Sequence, residues 1–157
     1  MKLSARTEYA IRAALELAAH PGESRTTESI ATAQQIPLSF LENILVDLRR
    51  RGLVSSTRGR DGGHALARPA DRIAIADIMR AEIGNLADVR GMRPENIEYE
   101  GSAQNLTQVW VAARASYRLV LENVTLADVI AGKFNSNVRK LLKEPDTWQS
   151  HWPTEPE

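Results

Sequence analysis

SFLENILVDLRRRGLVSSTRGRDGGHALARP, residues 39–69, starts as a helix and finishes as a hairpin. Leu41, Ile44, Leu45 and Leu48 recur at helical spacing and make one apolar stripe that needs a core to cover it. Ser39 and Glu42 have the S-x-x-E spacing of a capping box, in which each side chain satisfies a free backbone N–H at the helix start. Arg49, Arg50 and Arg51 close the helix, where cations complement its dipole, and Gly52 ends it. LVSST and HALAR then read as two short strands, with Pro69 as the stop. Between them stand Arg58, Gly59, Arg60, Asp61, Gly62 and Gly63. Glycines suffice for a turn, so two arginines among them point to contact with a polyanion.

Working outward, residues 5–19 place Tyr9, Ala10, Ala13, Ala14, Leu17 and Ala18 on one helical face, stopped by Pro21-Gly22. Thr26 and Thr27 can cap a short second helix, ESIATAQQ, and about four residues separate it from the third, within the range of a helix–turn–helix. After the hairpin, residues 75–83 form another short helix. Three helices followed by a two-stranded hairpin is the order of a winged helix–turn–helix. The expected fold is mainly α with this small hairpin, extended by a long C-terminal helix.

Residues 84–104 hold no sustained period, and a loop of this length is functional or disordered. LTQVWVAARASYRLVLENV follows as a long amphipathic helix, and Thr125 caps a short one, LADVIAG. The expected division is a winged domain at 1–84, an irregular sensor-type loop at 85–104, a dimerisation helix with short following helices at 105–144, and a flexible tail at 145–157. Trp148 or Trp152 is the residue that would dock that tail.

Net charge is zero over 157 residues, with 20 cationic and 20 acidic side chains. Residues 1–72 carry 11 Lys and Arg against 8 Asp and Glu, and the remainder reverses that bias. A basic first half suits a polyanionic partner. Arg6, Glu8, Arg12 and Glu16 interrupt the N-terminal apolar stretch, which argues against a signal peptide and for a cytoplasmic protein. No apolar run approaches the ~20 residues of a membrane span. There is no cysteine, so disulfides, thiolate ligands and cysteine nucleophiles are excluded. His20, His64 and His151 lack metal-ligand spacing, no phosphate-cradling motif opens a helix, and no catalytic constellation is present. Neither an enzyme nor a metal site is expected.

MKLS, YAIRAALELA, the 39–69 stretch, IAIADIMRAEIG and LENVTLADV together resemble the IscR/NsrR/CymR-type (Rrf-two) family of bacterial transcription regulators. That resemblance covers roughly residues 1–84 and 104–132. It implies a homodimeric DNA-binding regulator, usually a repressor, on a palindromic operator. Many members hold a [2Fe–2S] cluster on three cysteines before the long helix, and Arg93, Tyr99 and Asn105 fall at those positions here. None replaces a thiolate, so the expectation is a regulator with no cofactor.

Helix 39–51 is the candidate for the major groove, with Ser39, Phe40, Glu42 and Asn43 placed to reach base edges. Capping alone also explains Ser39 and Glu42. Arg49 and Arg50 suit phosphates, which fix register without reading sequence. Wing 57–64 is the candidate for the minor groove through Arg58, Gly59, Arg60 and His64. The family places an arginine at the position of Arg58 there; a plain charged hairpin is the alternative. Lys2, Ser4 and Arg6 resemble the family's N-terminal backbone clamp, with an ordinary solvated terminus as the alternative. Arg93, Tyr99, Trp110 and Tyr117 are the candidate lining for an organic-anion effector, with core packing the competing role for Trp110 and Tyr117. A winged module that docks on a partner enzyme is the reading from a different class.

Overall fold

The structure, a computed structural model, describes residues 3–59 and 62–149. α1 (Ala5–Ala18) starts at Ser4, whose hydroxyl accepts from the Thr7 amide at 3.1 Å. Ala10, Ala13, Ala14 and Leu17 are all buried along one face. Small side chains on a central helix let its neighbours pack close, and α2 (Thr27–Gln34) and α3 (Leu38–Arg50) both lie against it. Thr26 caps α2, and Gln35 adopts left-handed backbone (φ 52°) to turn the chain into α3.

α3 begins two residues earlier than the S-x-x-E spacing suggests. Pro37 holds the cap position at φ −58°, and its carbonyl already accepts the amides of Phe40 and Leu41. Ser39 therefore sits inside the first turn, and no side-chain cap bond forms. The capping box is overturned, and Ser39 and Glu42 are both left exposed. The buried stripe is the expected one: Leu41, Ile44, Leu45 and Leu48 are at most 2% exposed.

β1 (Val54–Thr57) and β2 (Gly63–Leu66) pair antiparallel, with Val54 opposite Leu66 and Thr57 opposite Gly63. Arg25 extends this sheet by one bridge, exchanging both backbone bonds with His64 at 2.8 and 2.9 Å. Gly63 is what permits that approach. A Cβ there would lie 2.7 Å from the Arg25 carbonyl oxygen.

α4 (Ile75–Ile83) completes the expected three helices, hairpin and following helix. Residues 84–105 contain two single 3-10 turns, at Pro94–Asn96 and Gly101–Ala103, and an isolated bridge between Val89 and Met92. α5 (Leu106–Leu121) follows, then α6 (Leu126–Ala131) and α7 (Ser136–Lys143). After α5 the chain returns to the winged part. Ile75 donates to the Val124 carbonyl and Leu126 to the Ile73 carbonyl, both at 2.9 Å. Leu126 is fully buried in the same core as α1 and α3. Where the sequence reads as a polar tail, Pro145–Trp148 make a 3-10 turn tied by Trp148 Nε1 to the Leu142 carbonyl. Trp152 lies outside the described residues. No helix among the described residues is long and apolar enough to cross a membrane.

Candidate nucleic-acid interface and the neighbouring cavities

The first turn of α3 presents an open surface. Ser39, Glu42 and Asn43 are exposed, as is Phe40 at 48%. Phe40 packs edge-on against Tyr9 with ring centroids 6.2 Å apart, so its ring is braced from one side and free on the other. Asn43 donates to the Ser39 carbonyl, leaving its amide oxygen for an incoming donor. Sequence reasoning missed Leu38, which is 43% exposed beside Phe40. Its signal was Pro37, which places Leu38 at the first helical position, outside the buried stripe.

At the other end of α3, Arg49 donates to Ser56 Oγ on β1 at 3.1 Å, tying the helix to the wing. Arg50 pairs with Asp47 at 3.3 Å, and both arginines remain exposed. Arg58 and Gly59 are exposed at the wing tip, with Gly59 at φ 115°. Lys2 and Arg60 lie outside the described residues. Ser4 is committed to capping α1.

His64 is held differently from its tip neighbours. It is half-buried, and its Nε2 meets the Thr27 hydroxyl at 3.2 Å. Burial lowers its pKa, the Arg49 charge adds to that, and Glu28 opposes it. This side chain pins the wing to α2.

The four candidate effector residues divide. Trp110 and Tyr117 line one cavity of about 320 Å³ with Met79 and Ile83. Burial raises the pKa of the Tyr117 phenol. Tyr99 supports this wall from behind, its hydroxyl accepting from Trp110 Nε1 at 3.2 Å. Arg93 instead lines an adjoining polar cavity of about 230 Å³. The cation in the wall of both is Arg114, which the sequence reading passed over. Its signal was its place one turn after Trp110.

A winged helix–turn–helix with an open reading helix braced against a cationic wing defines a DNA-binding transcription regulator. Residues 3–132 match the Rrf2 family, described as iron-dependent transcriptional regulator, and the chain belongs to that family. Rv1287 of Mycobacterium tuberculosis (strain ATCC 25618 / H37Rv) is 48% identical over 145 residues, covering 92% of this chain and 90% of its own. The HTH-type transcriptional regulator CymR of Bacillus subtilis (strain 168) is 34% identical over 130 residues, covering 82% and 89%. Among solved structures, T. potens IscR superposes with a TM-score of 0.68 at 32% identity, covering 84% of this chain and 88% of that one. The global cysteine regulator CymR (YrzC) of B. subtilis gives 0.70 at 29%, covering 85% and 98%.

The family description implies iron. Iron–sulfur clusters in proteins are carried mainly by cysteine thiolates, and this chain has none. Of the three aligned positions, Arg93 faces a cationic cavity and Tyr99 is bonded to Trp110, while Asn105 stands at the start of α5. Among the described residues no three His, Asp or Glu side chains are grouped to hold a metal ion. The donor set does not fit a cluster.

Proposed function

We propose that the protein is a homodimeric repressor without an iron–sulfur cluster. It reads a palindromic operator with the first turn of α3 in the major groove and the wing in the minor groove. The observation that carries this is the Arg49–Ser56 bond, which ties the helix presenting this open face to the first strand of the wing. Base edges are then available to Phe40, Leu38, Glu42 and Asn43. An apolar side chain suits a thymine methyl and a carboxylate suits a cytosine amino group. Arg50 and Arg58 supply charge to the backbone and to a narrow minor groove.

Dimerisation rests on α5. No residue of this helix is buried, and Val109 and Leu119 are 55% and 49% exposed. An apolar face of that kind needs a cover, and symmetric pairing is the commonest one. Sedimentation should give twice the 17.4 kDa chain mass, and selection from random duplexes should enrich a two-fold symmetric sequence. A monomer at micromolar concentration, or an enriched sequence without symmetry, contradicts the proposal.

A further inference from the structure

We propose that the junction of α4, the segment after it and α5 is a binding site for a small organic anion, with Arg80, Arg93, Arg114 and Arg118 holding its head and the Trp110–Tyr117 cavity its apolar body. These four arginines all line one polar cavity of about 230 Å³. Two carboxylates answer them. Glu95 pairs with Arg114 at 2.5 Å, and Glu122 accepts from both Arg118, at 2.8 Å, and Arg80. Bonds from Arg118 and Arg80 hold the Glu122 carboxyl below its ordinary range, so it stays ionised. Even so, four cations face two anions. Such partly exposed pairs contribute little stability, whereas guanidinium forks match a carboxylate or phosphate geometrically. A cleft whose charged lining is mostly of one sign also concentrates the opposite sign.

The second cavity sets the rest of the ligand. Leu86, Ala87 and Arg114 belong to both walls, so the polar and apolar spaces adjoin. The apolar one, at about 320 Å³, is the size of a small-molecule pocket. Its aromatic lining favours a flat body. The class is therefore an aromatic or acyl carboxylate, phosphate or sulfonate.

The probe is 1-anilinonaphthalene-8-sulfonate, titrated into the full chain without DNA, so that failure here leaves the operator reading standing. Wild type should bind it saturably with one site per chain. Arg93→Glu and Arg118→Gln should each weaken binding about tenfold, as expected for a lost charge-assisted bond. Arg93→Lys should restore most of it, and Arg139→Glu on α7 should leave it unchanged. Thermal melting checks that each variant is folded. Equal binding by wild type, Arg93→Glu and Arg118→Gln overturns the site, as does the absence of saturable binding. Unchanged probe binding with weakened duplex-DNA binding in Arg93→Glu would also overturn it, by assigning the arginines to DNA.

Discussion

At the scale of the residue, His64 is the side chain whose surroundings depart furthest from its place in the sequence. It stands beside the glycine tip, yet its ring turns inward to Thr27, and its backbone locks onto Arg25. Its Nδ1 is buried with no hydrogen-bond partner among the described residues, which leaves no acceptor for a second proton. Burial first, and Arg49 second, depress its pKa below the unfolded value. The unfolded chain therefore binds the extra proton more readily. The neutral ring's contribution is complete above about pH 6.5 and is lost as the pH falls towards the depressed folded value. Unfolding midpoints measured from pH 7.5 to 5 should fall for wild type, and His64→Gln should flatten that slope. An unchanged slope in His64→Gln would show that the ring is not held neutral by its site. None of this was legible in the sequence, because the partners come from 37 and 39 residues away in the chain.

At the scale of the element, most boundaries follow from local chemistry. The apolar periods of α1, α3 and α4 and the glycine punctuation of the hairpin were readable because each has one strong stripe or one strong breaker. The start of α3 was misread because two local signals compete. Ser39 and Glu42 have the capping spacing, but Pro37 fixes the backbone earlier and takes the cap position. α6 shows the same motif without a competitor. Thr125 accepts from the Asp128 amide at 3.1 Å, and Asp128 accepts from the Thr125 amide at 2.9 Å and its hydroxyl at 2.7 Å. Six residues make a helix too short to persist alone, so this cap decides how Leu126 reaches the core. Thr125→Ala should lower stability by about 1 kcal/mol in denaturant unfolding. The Thr125 backbone N–H, then its hydroxyl, hold the Asp128 pKa below its ordinary value. The carboxylate's contribution is thus present above about pH 4 and disappears as the pH falls through the depressed folded value. The stability gap between wild type and Asp128→Asn should close over that range. A gap that persists at pH 2 would mean the bond does not need the charge.

At the scale of the whole molecule, the two halves meet through few but specific links. The strand-like exchange of residues 73–75 with 124–126 and the buried Leu126 fasten the chain after α5 onto the winged part. An effector between α4 and α5 would sit beside this joint. The winged architecture was legible because it is written in local periods and turns. The cavities were only half legible: Trp110 and Tyr117 lie on one helical face, but Arg80 enters from another helix, and only folding brings it to Arg93 and Arg118. In the proposed function α3 and the wing grip DNA together, with Arg58 the minor-groove probe. The most direct test is the salt dependence of binding to a selected duplex, wild type against Arg58→Ala. The logarithm of affinity should fall linearly with that of salt, and the variant should bind more weakly with a slope shallower by about 1. Identical affinity and slope in the two proteins would contradict it.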